Sequence, residues 1–262
     1  MAGGGPRKTG DRAASRAETI WSLLAAYAAS RGAPASVADV CAVCVETVGM
    51  SGAAVTASGK SGPGHVMCVT DEVSEQIEEL QLTFGEGPRI DASADGGPVL
   101  VPDLGADEVA ARWPAFGPAA RRAGAAALFA LPLQIGAISV GVLGLYRRQP
   151  GPLSADQLGD ALVFADTATV LMIDREDQAA GDGGGGTGPG GQSWQLALHR
   201  AEIDQATGML TEQLGVGIED AFVRLRAYAY AQDKRLADVA RDVVARTLRM
   251  EPDPNPRRDG AA

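Results

Sequence analysis

Residues 179–193, AAGDGGGGTGPGGQS, constrain this chain more than any other stretch. A run of that composition cannot bury a core and behaves as a flexible linker. A chain of 262 residues broken there folds as two units. The expected organisation is a disordered tail at 1–12, a first unit at 13–178, the linker at 179–193, a second unit at 194–250 and a second tail at 251–262.

Composition narrows the class. The apolar fraction is 45%, ordinary for a globular protein, so a real core is within reach. The formal net charge is −10, which disfavours non-specific nucleic-acid binding and confines any such role to a local basic face. The opening MAGGGPRKTGDR lacks the apolar stretch of a secretory signal. Three cysteines, Cys41, Cys44 and Cys68, do not make an even disulfide framework, and a reducing cytoplasm is expected. Ala123–Tyr146 carries no charge and is long enough for a bilayer. Pro132, Gln134 and Gly136 interrupt it, and β-branched residues gather in its second half. A buried hairpin turning at Gly136-Ala137 accounts for both, so no membrane segment is expected.

In chain order, Ile20, Leu23, Leu24 and Tyr27, with Trp21 beside them, predict a helix over 13–30. A second helix over 36–49 starts at Ser36. Short strands follow at 53–58 and 65–70, then a helix over 71–82 with acids in its first turn. Gly and Pro in 83–104 predict loops around the strand PVLVPD, with GEGP as the turn before it. A helical piece with Trp113 and Phe116, broken at Pro114 and Pro118, leads into the hairpin. A long helix over 153–177 begins at a capping box, Ser154 with Gln157. This order is an α+β fold with a mostly antiparallel sheet flanked by helices.

The run TFGEGPRIDASADGGPVLVPDL, followed by RWPAFGPAARRAGAAALFALPLQIGAISVGVLGLYRRQPGPLSADQL, resembles a GAF domain. The residues that carry the resemblance are Gly85, Gly87 and Pro88, then Pro132-Leu133 before the small-residue turn, and Leu145-Tyr146 closing the last strand. It covers about residues 34–175. It implies a sensory module with a small-molecule ligand of unknown identity.

The second unit reads as a small all-α, three-helix domain. Leu196, His199, Ile203, Ala206 and Leu210 have the 3-4 spacing of a coiled-coil seam, two heptads long and marginal by itself. Ala221, Phe222, Leu225 and Ala229 stripe a second helix over 218–232. Leu236, Val239, Ala240, Val243, Val244 and Thr247 stripe a third over 235–249. The charges separate: Trp194–Val223 holds one base against five acids, and Arg224–Arg249 holds seven bases against three acids. Arg224 with Tyr228, and Arg226 with Tyr230, stand at i, i+4. An Arg–aromatic face can hold phosphate and stack an unpaired base.

This stretch resembles the ANTAR domain, an RNA-binding module of transcription antiterminators. The matching blocks are Ile203-Asp204-Gln205-Ala206-x-Gly208-Met209, Ala221-Phe222-x-x-Leu225-Arg226-x-x-Ala229 and Arg235-Leu236-x-Asp238-Val239-Ala240. The resemblance implies a homodimer that binds paired stem-loops in nascent RNA. One position departs: Thr207 stands where the family commonly has Lys. The expected RNA contacts are Arg224, Arg226, Tyr228, Lys234, Arg235 and Arg241. Without the resemblance, those bases would read as solvated helix faces. Arg241 and Arg246 have Asp238 and Asp242 at i−3/i−4, so surface ion pairing competes for them.

No catalytic set, phosphate-binding loop or metal pattern is legible, so neither an enzyme nor a bound cofactor or metal is expected. Cys41-x-x-Cys44 lacks a second Cys pair to close a zinc site, and it and Cys68 read as buried packing. His65 reads as a surface residue and His199 as a packing residue. Asp91, Asp95 and Asp103 are candidates to line a pocket. The function expected is a cytoplasmic RNA-binding antitermination regulator, with the GAF-like unit sensing and the ANTAR-like unit acting. The alternative is a dimeric ligand sensor that acts through a protein partner without binding RNA.

Overall fold

The computed structural model describes residues 8–59, 64–181, 191–232 and 234–251. The chain forms two compact units, Met1–Pro189 and Gly190–Ala262. The outer parts of both expected tails, 1–7 and 252–262, and the middle of the expected linker, 182–190, lie outside the described residues.

The first unit begins with α1 (Lys8–Ser30) and α2 (Val37–Val48). Ser36 caps α2 in a capping box with Asp39, and Gly49 closes it at φ 70°. Next come β1 (Gly52–Ala57), β2 (His65–Val69) and α3 (Glu72–Phe84), whose cap is Asp71. A short helix, α4 (Pro88–Asp95), precedes β3 (Val99–Val101). It replaces the expected loop, so GEGP turns into a helix and not into a strand. Gly85 ends α3 in the left-handed conformation, and Pro88 opens α4 where no intrahelical N–H is needed.

The unit continues through α5 (Asp107–Arg112), α6 (Phe116–Arg122), β4 (Ala127–Ile135), β5 (Ile138–Arg147) and α7 (Ala155–Gly181). Pro114 separates α5 from α6. Pro118 does not break α6, because it sits in the first turn. The hairpin turns at Gly136-Ala137 as expected, with Gly136 at φ 60°. Among the described residues no helix is long and apolar enough to cross a membrane. The capping box of α7 is present: Ser154 N–H donates to Gln157 Oε1 at 3.0 Å, and Gln157 N–H to Ser154 Oγ at 3.1 Å.

The sheet is antiparallel, in the order β2-β1-β5-β4-β3. Side chains alternate between its faces. Val55, Phe129, Leu131, Leu133, Leu143 and Leu145 pack against α1, α2 and α7. Leu128 and Tyr146 face Ile77 of α3 and Phe116 of α6, with Trp113 edge-on to Phe116. Helices on both faces explain why β1 is buried along its whole length. On α1, Ile20 and Leu24 are in the core, whereas Leu23 and Trp21 are exposed. Leu23 leaves the stripe because Ala28, not Leu23, completes the buried row Ile20, Leu24, Ala28 at i, i+4, i+8.

The second unit comprises α8 (Gly191–Leu214), α9 (Ile218–Ala231) and α10 (Leu236–Val244). Its core joins Ile203, Ala206, Leu210 and Leu214 to Phe222 and Leu225 and to Leu236, Val239 and Val243. The α9 stripe is buried as expected. The third helix is shorter than expected and ends at Val244, with Arg246 left-handed at φ 60°. The N–H groups of Thr247 and Leu248 turn back to the Asp242 carbonyl at 2.9 and 3.0 Å. Thr247 is exposed, not inward, because the apolar face stops at Val243 and further helix would bury nothing.

Candidate nucleic-acid interface and ligand recess

The α8 seam is the first feature the second unit redefines. Ile203 and Leu210 are 9% and 0% exposed within a single chain, packed against α9 and α10. Their apolar surface closes the domain's own core and is not available to a second copy as a coiled-coil seam. The side chains of Leu196 and His199 lie outside the described residues. Thr207 belongs to the same inner face, 5% exposed, and its hydroxyl donates to the Ile203 carbonyl at 2.7 Å. The missing family Lys is therefore replaced by a small residue that packs inward and satisfies its own hydroxyl.

The basic residues do not form one continuous face. Successive residues turn about 100° around a helix, so Arg226 lies roughly 200° from Arg224. Arg224 and Tyr228 flank one side of the buried α9 stripe; Arg226 and Tyr230 flank the other. The Arg226 guanidinium lies 5.7 Å from the Phe222 ring centroid, a cation–π contact that holds it along the helix. Tyr230 is 59% exposed, while Tyr228 is half-buried.

Lys234 and Arg235 follow the C-terminus of α9, and Arg235 is the residue from which α10 starts. Both are exposed. Lys234 Nζ pairs with Asp242 at 3.4 Å. Arg241 is held by two acids, Glu202 of α8 at 3.3 Å and Asp238 at 3.0 Å. These contacts, Glu202's first, raise the Arg241 pKa further. So the i−3 ion pair foreseen for Arg241 is present, and Glu202, which sequence spacing could not have placed there, adds to it. Arg224 makes no ion pair among the described residues.

The first unit holds a recess between α3, α4 and the sheet, lined by Glu78, Gln81, Arg89, Phe129, Gly144 and Tyr146 among others. Its exposed lining is mostly apolar, with a buried polar cluster among the lining residues. Glu78 and Arg89 are almost fully buried, with Arg89 Nε 2.8 Å from Glu78 Oε2. That Nε–H is not aligned for a hydrogen bond, so the contact is an ion pair without good hydrogen-bond geometry. Thr56 Oγ1 donates to the same Glu78 oxygen at 2.8 Å, and Gln81 Nε2 donates to Oε1 at 2.9 Å. Gln81 Oε1 accepts the Arg89 backbone N–H at 2.8 Å, which ties the start of α4 to α3. Gly87, at φ 124°, makes that approach possible: a Cβ there would lie 2.7 Å from Gln81 Oε1. Beside the recess, the Tyr146 hydroxyl donates to Asp71 at 2.5 Å. Burial, then the Asp71 hydrogen bond, push the phenol pKa up to about 12.

Asp91, Asp95 and Asp103 do not line the recess. Asp91 pairs with Arg112 at 2.6 Å and accepts from Trp113 Nε1 at 3.2 Å. Asp103 caps its own turn through the Gly105 N–H, and Asp95 is exposed. Sequence reasoning missed Glu78 and Arg89, because they read as surface charges on a polar helix and in a loop. The one usable signal was Glu78 and Gln81 at i, i+3, on the same face as Ile77. Among the described residues no group of three or more His, Cys, Asp or Glu is placed to hold a metal ion. His65 opens β2 and is half-buried.

The first unit is an antiparallel α+β fold with helices on both faces of its sheet, and the second is a small three-helix unit with sorted charge. Residues 196–244 match the family model of the ANTAR domain, so the three helices carry an ANTAR domain. No curated protein matches the chain. Solved structures similar to it include the GAF domain of a phosphoenolpyruvate-protein phosphotransferase from Coxiella burnetii, 15% identical, covering 63% of this chain and 98% of that one, with a TM-score of 0.48. The corresponding GAF domain from Acinetobacter is 10% identical over 64% of this chain and 98% of that one, TM-score 0.47. The GAF-B domain of DevS from Mycobacterium smegmatis is 19% identical over 56% of this chain and 96% of that one, TM-score 0.41.

Proposed function

We propose that this chain is a cytoplasmic antitermination regulator that binds stem-loops of nascent RNA through its ANTAR domain and takes its signal through the GAF-like unit. The observation that carries the reading is the ANTAR match over 196–244, on helices whose exposed bases are concentrated after Arg224. Arg224, Arg226, Tyr228, Lys234, Arg235 and Arg241 remain the proposed contact set, with an order among them. Arg224, which makes no ion pair among the described residues, flanks α9 and would meet phosphate first. Lys234 and Arg241 must give up Asp242, Glu202 and Asp238 to do so, and contribute less. The recess lined by Glu78 and Arg89 is the proposed ligand site of the first unit. The protein acts as a homodimer, and the internal position of Ile203 and Leu210 moves the expected dimer contact away from that part of α8.

The test is a mobility shift on an RNA with two adjacent stem-loops, over a series of salt concentrations. Arg224→Ala and Arg226→Ala should each weaken binding and reduce the salt slope by about one, the signature of a lost phosphate contact. Unchanged binding by the double variant, with an intact circular dichroism spectrum, would sink the site. A second reading has its own observation: Ile218 and Val223 on α9 are each 55% exposed, separate apolar side chains that a protein partner could cover. Loss of a partner without loss of RNA binding in Val223→Glu would support it.

A further inference from the structure

The three cysteines lie in the first unit's core, and two of them meet. Cys41, on α2, and Cys68, on β2, are 1% and 7% exposed. Their sulfurs are 2.6 Å apart, well inside the distance two unbonded sulfurs keep. A disulfide needs about 2.05 Å, so the two sulfurs have only about half an ångström to close. The pair is not the Cys41-x-x-Cys44 that the sequence brings to notice. Cys44 is fully buried one turn further along α2, and its thiol is pushed up by burial, with the Asp160 charge adding. Cys68 has a different setting. It sits on β2, an edge strand of the sheet paired with β1, and it is the most exposed of the three cysteines.

We propose that Cys41 and Cys68 are an oxidation site that closes to an intramolecular disulfide in the presence of hydrogen peroxide, tying edge strand β2 to α2. Cys68 acts first. Its thiolate attacks one peroxide oxygen, the O–O bond breaks, the leaving hydroxide takes up the thiol proton as water, and a sulfenic acid remains on Cys68. Cys41 Sγ then attacks the Cys68 sulfur. The S–O bond breaks, and the Cys41 proton leaves with the hydroxyl as a second water. Two thiols and one peroxide give one disulfide and two waters.

The roles follow from the surroundings. Cys41 is held as a thiol by its hydrogen bond with Cys68, by burial and by the nearby Asp39 charge, which suits the second, resolving step better than the first. Burial makes the first step slow, and the adjacency of the sulfurs makes the second fast, so the sulfenic acid does not accumulate. The closed loop spans the whole of β1, with its ends 27 residues apart in sequence. Oxidation would thus fix the β1–β2 hairpin to α2 and give this unit a covalent input independent of any ligand.

The full chain is exposed to hydrogen peroxide, then analysed by intact mass and by peptide mapping without reductant. Wild type and Cys44→Ala should lose two hydrogens, regain them with dithiothreitol, and yield one cross-linked peptide pair containing Cys41 and Cys68. Cys41→Ala should instead accumulate oxygen on Cys68. Free Cys41 and Cys68 peptides after peroxide, stable oxygen adducts on the wild-type cysteines, or a cross-link through Cys44 or between chains would each overturn the proposal. The wild-type map decides the matter even where a variant fails to fold.

Discussion

Glu78→Ala should be among the most damaging single substitutions in the first unit. Arg89 would keep its charge in a site where its own side chain is only 9% exposed, with the partner 2.8 Å away removed. Leaving one member of a buried ion pair uncompensated costs about 3–5 kcal/mol. The Thr56 hydroxyl and the Gln81 amide would also lose an acceptor. Replacing both charges, as Glu78→Met with Arg89→Met, removes the stranded charge and leaves only those two neutral donors short, at about 1 kcal/mol each. Both variants leave those two donors short, so the double variant should be more stable than Glu78→Ala by roughly the cost of the stranded charge, 3–5 kcal/mol, which no additive account permits. The assay is urea unfolding followed by tryptophan fluorescence, in a Trp194→Phe background so that only Trp21 and Trp113 report. A loss below about 1 kcal/mol for Glu78→Ala, as for an exposed pair, would refute the reasoning.

Two further outcomes are expected. An unfolded tyrosine titrates near 10, while Tyr146 in the folded protein is raised to about 12. The folded state then keeps a proton that the unfolded chain loses: the contribution is complete below pH 10 and disappears as pH rises to 12, on the order of 2–3 kcal/mol. Tyr146→Phe should flatten that alkaline decline in the unfolding midpoint, and an unchanged decline would contradict the Asp71–Tyr146 account. Thr207→Lys should destabilise the ANTAR domain by about 2–3 kcal/mol, since it places an ammonium on the inner face of α8. Tighter RNA binding by that variant with unchanged thermal stability would show that position 207 faces outward.

The legible elements were those specified by neighbouring residues. The Ser154–Gln157 box, the Gly136-Ala137 turn and the α9 stripe each declare themselves within a few positions, and each is where it was expected. What escaped depends on distant partners. α4 is eight residues of weak pattern between glycines; it is held by the Arg89 backbone bond to Gln81 and by Ala92 against Ala130 and Val142 of the sheet. Leu23 and Ala28 exchange places because the faces met by α1 decide which of two overlapping stripes is buried. In the second unit, a 3-4 pattern on α8 is equally good for pairing with another chain or with α9 and α10, and only the fold distinguishes them. The basic residues are legible in the sequence only as a composition, and the division of Arg224 and Arg226 between two flanks of α9 follows from helix geometry. The partner of Cys41 was invisible for the same reason as Glu202's hold on Arg241: both contacts join separate elements.

The most direct test of the central claim is recovery of RNA crosslinked to the full chain in its native cell, compared with a chain lacking residues 194–250. The account predicts enrichment of adjacent stem-loops with the full chain, and a sharp reduction when Arg224 and Arg226 are both alanine. Recovery no greater than that of the truncated chain would contradict it.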